Sequence, residues 1–502
     1  AERAGGRAKT VTLGMNTQIS TLDPFNGAST GTIYLTEALH DALYSIPALG
    51  EELENEIGKS YEVSDDGKTL TVEIYDYVHD QAGNKIDAED VAWSYNTYLA
   101  TGNATQFAKY LDSAEATDAT HVVFHMKEDK CKETSAVKSV LSGCVIYDKD
   151  AYSADSYATN PVGCGPYKVT EFVTGASVTI ERDPNYWQTD ESLIYGGSVK
   201  NADVIEFDVL EESTQLALAV ENGDIDMAMY IDSSLVDEVG NTDGIELAEM
   251  TAAEERGIMF NMMEDSVFYD NLPLRQAVLY AIDNEAVAEA CGYGHGTAST
   301  VTCGQDGLTI GYSSDWETSP YSYDPEKAKE LLAEAGYSEG ELNLRLLCNS
   351  NPVITMMWTI VQSNLMEVGI NAELDVVEGT TYGTYRDGSS GMYDLAYAGV
   401  EDAGYVTADL WNTLFNRNNY ASGRTWAGLL DDELQELYDA IAAPDGYTQE
   451  NLDAFYNYIT DNALYYNIYF LSEYAAYNTN RVSSYFTDWQ RFVRANTVVL
   501  AD

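Results

Sequence analysis

The segment 393–409 carries the residues best suited to bind a ligand. Residues 395–398 have the character of a strand, and Gly399 is expected to end it, which leaves Glu401 and Asp402 on the loop that follows. The ends of strands in α/β sheets are natural positions for ligand-binding groups. The alternative is that both acids are solvated loop residues in a very acidic chain.

Catalytic chemistry has little support. The chain has five histidines. His121 and His125 would point the same way from a strand, but the sequence places no third metal ligand near them. There is no Gly-x-Ser-x-Gly motif, and the glycine-rich residues 292–296 do not match a dinucleotide fingerprint. We therefore predict neither an enzyme nor a bound metal or cofactor.

The segment 160–187 predicts a β-hairpin between two rigid turns. Gly163 and Gly165 are expected to supply unusual backbone angles, and Gly175 to turn the hairpin. Trp187 follows as an aromatic anchor.

Local signals elsewhere predict alternating strands and helices, and hence α/β domains. The expected elements are a strand over 10–15, a hairpin turning at Asp65-Asp66-Gly67, a helix capped by Asp87, a strand over 121–126, a helix opening at Leu272-Pro273, a helix capped by Asp324, and a helix over 360–368.

The net charge of the chain restricts the functions that it can have. The chain has 502 residues, enough for two or three domains, and its 26 basic and 83 acidic residues give a formal charge of −57. Nucleic-acid binding needs Lys and Arg to neutralise phosphates, so it is not expected. The simplest interpretation is a solvated acidic surface. The alternative is a field that enriches cationic ligands locally, within a screening length of about 8 Å.

Cysteines and termini are less informative. Cys131 with Cys144, and Cys291 with Cys303, are spaced for short disulfide loops, and buried free thiols are an equally good interpretation. No apolar run is long enough for a membrane helix. The first ten residues lack the apolar core of a signal peptide, so we expect a mature or trimmed protein.

Several motifs, in order along residues 10–495, resemble family 5 substrate-binding proteins of bacterial ABC importers, which bind oligopeptides, dipeptides or nickel. They are Thr21-Leu22-Asp23-Pro24, residues 63–70 (VSDDGKTL), 163–167 (GCGPY) with 184–187 (PNYW), 221–226 (ENGDID), 274–277 (LRQA) and 323–337 (YDPEKAKELLAEAGY).

The resemblance implies a type II periplasmic-binding-protein-like fold, in which two lobes joined by a hinge hold the ligand in an interlobe cleft. The first lobe would comprise residues 1–38, 160–256 and 475–502, with an extra domain at 39–159, and the second lobe residues 257–474. One hinge strand would be 257–260. The protein would be a monomeric extracytoplasmic binder, periplasmic or a cell-surface lipoprotein, that works with ABC permease subunits.

The resemblance also implies site residues. In peptide binders of this family an aspartate in the segment matching 393–409 pairs with the ligand's α-ammonium. Asp402 is the nearest match and Glu401 the runner-up, and such a charge-assisted bond contributes roughly 1.5–3 kcal/mol. The other expected ligand-binding residues are Gly399, Tyr405, Tyr382, Arg386, Asn349, Phe107, Tyr110 and Asn26.

Departures from the family pattern bear on the ligand. Val400 stands where the family often has tryptophan, and Asn349 stands where dipeptide binders carry a carboxylate-clamping arginine. We therefore expect an oligopeptide, whose carboxylate Arg386 could meet. The same scaffold binding an oligosaccharide or another small solute is the alternative. A hydrolase is disfavoured because the chain lacks a nucleophile and base pattern.

Overall fold

A computed structural model provides the structure of the protein. It describes residues 9–501 except 28–29, 47–51, 105, 134, 195–198, 305, 307–308, 318–320, 402–410, 444 and 488–492. The chain forms two compact units. Unit 1 comprises Ala1–Glu249 and Tyr474–Asp502, and unit 2 comprises Met250–Glu473. The chain therefore passes from one unit to the other twice.

Helices and strands alternate along the chain, which confirms the predicted α/β class. The described helices are α1 (Thr30–Leu39), α2 (Ala88–Thr101), α3 (Ala136–Ser142), α4 (Ala154–Tyr157), α5 (Ser213–Asn222), α6 (Val236–Gly240), α7 (Leu272–Ala281), α8 (Asn284–Cys291), α9 (Pro325–Glu334), α10 (Pro352–Glu367), α11 (Gly379–Tyr385), α12 (Asn412–Phe415), α13 (Asp432–Ala442) and α14 (Gln449–Asp461).

The described strands are β1 (Thr10–Met15), β2 (Tyr44–Ser45), β3 (Glu54–Asn55), β4 (Gly58–Val63), β5 (Thr69–Ile74), β6 (Leu111–Ala116), β7 (His121–Met126), β8 (Tyr167–Val173), β9 (Ser177–Arg182), β10 (Val204–Val209), β11 (Met227–Ile231), β12 (Ile245–Phe260), β13 (Thr297–Ala298), β14 (Asn343–Asn349), β15 (Asn371–Val377), β16 (Leu395–Glu401), β17 (Tyr465–Asn478), β18 (Val482–Ser484) and β19 (Val499–Leu500).

Unit 1 contains two main sheets. In the larger, β8, β9 and β10 pair antiparallel, β10, β1 and β11 pair parallel, and β11 pairs antiparallel with β17 from Tyr474 onward. The smaller sheet has the order β4-β5-β7-β6. Asp87 caps the helix α2, as predicted, and its side chain forms a capping box with Asp90.

The hairpin of β8 and β9 forms as predicted, but two of its glycines act differently from expectation. Gly175 has φ of +70°, whereas Gly163 and Gly165 are not among the glycines with positive φ. A Cβ at Gly163 would lie 2.2 Å from Leu39 O, and one at Gly165 would lie 2.4 Å from His40 N. These two positions need glycine because another backbone segment packs directly against them.

The aromatic anchor of the hairpin is held by a buried acid. Tyr186 Oη and Trp187 Nε1 donate hydrogen bonds to Asp41 Oδ2 at 2.9 and 2.6 Å. Burial raises the pKa of Asp41 to about 7, against the opposing effect of these two donors. The anchor thus ties the hairpin to the segment after α1.

Unit 2 is built on β15, β14 and β16, which pair parallel, with β12 antiparallel to β16. Its core includes Trp358, Trp411 and Phe455. The N-cap at Asp324 with Pro325 in the first turn is confirmed. The helix predicted over 360–368 instead begins at Pro352, where Asn351 caps it by accepting from Val353 N and Ile354 N.

Two open questions from the sequence are answered. All six cysteines are buried free thiols, so the short disulfide loops do not form. Among the described residues, no helix has both the length and the apolar character to cross a membrane.

Candidate functional site

The strand β16 is longer than predicted, and this changes the position of two site residues. Gly399 was expected to end the strand, but it pairs with Arg256, and pairing with β12 continues to Glu401 opposite Glu254. Glu401 is therefore the last strand residue and not part of a loop. A glycine in a strand weakens it but does not stop it when a neighbouring strand supplies the hydrogen bonds. Asp402 and Tyr405 lie outside the described residues.

Tyr382 lies on α11 and is 5% exposed. Its hydroxyl donates a hydrogen bond to Tyr397 O at 2.5 Å, and burial raises the pKa of its phenol. Tyr382 thus packs α11 against the middle of β16. Glu401 lies four residues beyond Tyr397, about 13 Å along the strand, so the structure does not bring Tyr382 and Glu401 together.

Arg386 follows α11 and lies on aromatic rings. Its guanidinium carbon is 3.5 Å from the ring centroid of Trp426 and 5.6 Å from that of Tyr382. Its Nε is buried without a hydrogen-bond partner among the described residues, and so is the hydroxyl of Tyr393. Burial lowers the pKa of Arg386. A carboxylate is the acceptor that matches a guanidinium best.

Asn349, at the end of β14, has a local structural role. Its Oδ1 accepts a hydrogen bond from Asn351 N at 3.1 Å, directly before Asn351 caps α10. This turn connects the strand to the helix. The side-chain oxygen is therefore already used within the chain.

Of the three predicted site residues in unit 1, Phe107 and Tyr110 are core residues. Phe107 is 0% and Tyr110 2% exposed. Tyr110 Oη lies 2.7 Å from Ser135 Oγ. Asn26 is exposed, and its Nδ2 donates to Asp23 Oδ2 at 2.9 Å and to Ala154 O at 3.2 Å. The structure brings none of their side chains into a shared site.

Unit 1 contains a cavity of about 450 Å³. Gly27 and Gln106, which are the sequence neighbours of Asn26 and Phe107, line it. Two carboxylate side chains, Glu37 and Glu56, are part of its wall. Glu37 Oε2 pairs with Arg494 Nε at 2.8 Å. Glu56 Oε2 accepts from Ala42 N at 2.7 Å. Burial, followed by the nearby Asp41, raises the pKa of Glu56 well above its usual range.

The amino-acid sequence does not predict this cavity. Its polar residues Glu37, Ser45 and Glu56 come from α1, β2 and the residue after β3, and Arg494 arrives from near the end of the chain. No motif or spacing connects them. The available signal was indirect: Asn26 and Phe107, singled out by resemblance, are sequence neighbours of lining residues.

The paired histidines do not form a metal site. His121 Nδ1 contacts Asp118 Oδ1, and His125 Nε2 contacts Glu115 Oε1, each at 3.0 Å. Within the part of the chain that the structure describes, no cluster of three or more His, Cys, Asp or Glu side chains could hold a metal ion.

Comparison with known proteins places the chain among solute binders. Residues 52–421 match the model of the bacterial extracellular solute-binding proteins, family 5. The chain is 25% identical over 380 residues to the glutathione-binding protein GsiB of Shigella flexneri, covering 74% of this chain and 70% of that protein.

Two solved structures share the fold. The ABC transporter substrate-binding protein CtaP of Listeria monocytogenes has a TM-score of 0.81 at 20% identity, covering 99% of this chain and 100% of that one. The dipeptide-binding protein of Pseudoalteromonas sp. SM9913, in complex with Met-Leu, has a TM-score of 0.73 at 19% identity, covering 98% and 100%. The family match spans most of the chain, so this protein belongs to family 5 of the bacterial extracellular solute-binding proteins, which are two-lobed transport binding proteins and not enzymes.

Proposed function

We propose that this protein captures an oligopeptide and delivers it to the permease of an ABC importer. As a family 5 member it is an extracytoplasmic binding protein of such an importer, with a peptide or another small molecule as its ligand. The choice of oligopeptide, a monomeric state, and tethering as a lipoprotein or release as a free periplasmic protein are parts of the proposal.

The observation that carries the peptide assignment is the environment of Arg386. Its buried Nε and the buried hydroxyl of Tyr393 both lack hydrogen-bond partners among the described residues. A peptide carboxylate is the acceptor that matches the Arg386 guanidinium, whereas a neutral sugar brings no charge to it. Asp402, or Glu401 in its place, would bind the peptide's ammonium, as the family resemblance implies.

The distance between the two proposed binding positions, at Arg386 and at Glu401, supports a peptide longer than two residues. Tyr382, which Arg386 contacts, bonds to Tyr397, and Glu401 lies about 13 Å further along β16. An extended peptide spans at most about 3.3–3.6 Å per residue, so joining the two places takes roughly four residues. Asn349 supplies no charge where dipeptide binders have arginine, which also favours a longer ligand.

The proposal is tested by thermal-shift screening of the purified protein against peptides of two to eight residues, with oligosaccharides and nickel chelates as comparison ligands. We expect stabilisation by peptides of about four residues or more, because a ligand that binds only the native state raises its stability. A clear shift with a sugar or chelate and none with any peptide would exclude the proposal.

Two variants test which residues bind the ammonium and the carboxylate of the peptide. Asp402→Ala and Arg386→Gln should each weaken peptide binding by roughly tenfold or more, since each removes a charge-assisted bond. Arg424→Gln is the matched control, because Arg424 already pairs with Glu264 at 2.9 Å. Unchanged affinity in both Asp402→Ala and Arg386→Gln would favour the alternative, an oligosaccharide or another neutral solute on the same scaffold.

A further inference from the structure

We infer that Trp426 is a positioning residue of the ligand site in unit 2. Its indole holds the guanidinium of Arg386 in one plane, and the site thereby selects peptides that end in a free carboxylate. This inference rests on the proposed function and names the specificity of the same site. Trp426 acts through Arg386 and makes no contact of its own with the carboxylate. Both residues belong to unit 2.

The two terminal amino groups of Arg386 are the part of this side chain that a ligand can reach. The side chain is half-buried, and its Nε is buried without a partner. Nη1 and Nη2 also form no hydrogen bond with a described residue, but they are not among the buried nitrogens. The planar guanidinium presents these two amino groups as a fork that matches the two oxygens of a carboxylate.

The chain does not neutralise this cation with an acid of its own. Arg386 forms no ion pair with a described residue, although the chain has 83 acidic residues. In the same unit, Arg345 and Arg417 pair with carboxylates at 3.2 and 2.6 Å. The neighbouring Asp387 accepts from the backbone N and the hydroxyl of Ser389 instead. Arg386 is thus available to an anion from outside the chain.

The indole of Trp426 covers one face of the Arg386 guanidinium. The guanidinium carbon lies 3.5 Å from the centroid of the Trp426 ring, which is van der Waals contact. Contact this close requires the guanidinium to lie flat on the ring, an arrangement that cation–π attraction favours. Stacking leaves the in-plane N–H directions of the terminal amino groups open. It therefore fixes the plane in which a carboxylate can form two hydrogen bonds.

Trp426 is itself held in place by the backbone. Its carbonyl accepts a hydrogen bond from Gly388 N at 3.0 Å, which joins the tryptophan to the segment directly after Arg386. A Cβ at Gly388 would lie 2.6 Å from Ala427 O, so this approach requires glycine. The indole also packs against the core of unit 2. The stack is therefore preorganised, which lowers the entropy cost of binding a ligand.

The test compares two pools of tetrapeptides that are randomised at every position. One pool has free C-terminal carboxylates, and the other has C-terminal amides. The concentration of each pool that half-saturates the whole protein is measured by microscale thermophoresis. We expect the acids to bind roughly tenfold or more tightly than the amides. The formal charge of −57 by itself favours the more positive amides, so a preference for the acids has to come from a specific site.

Variants locate the origin of this preference, with the Tm of each confirming that it folds. Trp426→Leu should reduce the ratio of acid to amide affinity by about threefold or more, and Trp426→Phe, which keeps an aromatic ring, should retain most of it. Arg386→Lys keeps the charge but loses the planar fork, so it should also reduce the ratio. Tyr269→Leu removes an aromatic side chain that is 38% exposed elsewhere in unit 2 and should leave the ratio unchanged.

A double variant separates positioning from direct contact. Arg386→Gln removes the group through which Trp426 acts. Adding Trp426→Leu to Arg386→Gln should therefore change the ratio no further. A further fall in the double variant would show that the indole contacts the ligand directly, and the positioning role would be wrong.

The outcomes distinguish this inference from the proposed function. If both pools bind equally, or if folded Trp426→Leu keeps the full preference for acids, the inference is wrong while peptide capture stands. If Trp426→Leu does not fold, Arg386→Lys and Trp426→Phe decide: an unreduced preference in Arg386→Lys, or its loss in folded Trp426→Phe, contradicts the inference. If neither pool binds, the proposed function fails, and the inference fails with it.

Discussion

Glu255 is an acid with no access to solvent. Its side chain lies on β12 and is 0% exposed, and its Oε1 accepts a hydrogen bond from Gly304 N at 2.9 Å. Burial raises the pKa of Glu255 to about 8, against the smaller opposing effect of the hydrogen bond from Gly304 N. The native protein therefore holds a proton there that the unfolded chain releases at a much lower pH.

The protonation of Glu255 predicts a pH dependence of stability. Between the ordinary glutamate pKa and about 8, the native state binds one more proton than the unfolded state, so the free energy of unfolding falls as pH rises through this range, by an amount on the order of a few kcal/mol. Glu255→Gln keeps an acceptor for Gly304 and removes the titration. We expect its Tm, relative to that of the unaltered protein, to be higher at pH 8.5 than at pH 5.

The control for this prediction is Glu436→Gln, on the exposed face of α13. It should shift the Tm equally at both pH values. An equal shift in Glu255→Gln would show that Glu255 does not titrate between the two values.

At the scale of the residue, the type of a side chain does not reveal whether the side chain is buried or which partners it has. Tyr382 and Phe107 were predicted to face a ligand, and both are buried. An aromatic side chain serves a core and a binding site equally well, and only its neighbours distinguish the two. The missing partners of Arg386 Nε and Ser45 Oγ are likewise visible only when the surrounding chain is in place.

At the scale of the element, two glycines of the hairpin of β8 and β9 are needed for different reasons, one for a close backbone contact and the other for a positive φ. Gly163→Ala should destabilise unit 1 by about 3 kcal/mol or more, because its Cβ would lie 2.2 Å from Leu39 O. Gly175→Ala should cost only about 1 kcal/mol, the penalty of positive φ, because no atom lies within 4 Å of the added Cβ. Urea unfolding, monitored by hydrogen exchange of the backbone amides of residues 39–40, measures the loss of stability in both variants. Equal losses would contradict the role assigned to Gly163.

Helix and strand starts were predictable where their signals are local. Asp87 and Asp324 cap the helices that their spacing predicts. The end of β16 was not predictable, because Gly399 to Glu401 remain in the strand only through pairing with residues 254–256 of β12. A partner strand about 145 residues away in sequence leaves no local signal.

At the scale of the whole molecule, charge is the dominant property. A formal charge of −57 destabilises the compact state by self-repulsion. Salt shortens the screening length from about 30 Å at 0.01 M to about 10 Å at 0.1 M. We expect the Tm to rise by several degrees between these ionic strengths, in sodium chloride and in choline chloride alike. A rise in sodium chloride alone would indicate specific ion binding instead of general screening.

The sequence by itself determined the family, the α/β class, the hairpin turn at Gly175, the helix caps at Asp87 and Asp324, and the acidity, because each depends on neighbouring residues or on composition. Tertiary structure alone decided that Gly163 is needed for backbone contact, that Tyr382 is a core residue, and that Glu401 ends a strand. It also decided that Glu37, Ser45 and Glu56 share one cavity while Arg494, more than 400 positions away, pairs with its wall. The physical reason is that local backbone preferences act over a few residues, whereas burial and side-chain partnership depend on segments that folding alone brings together.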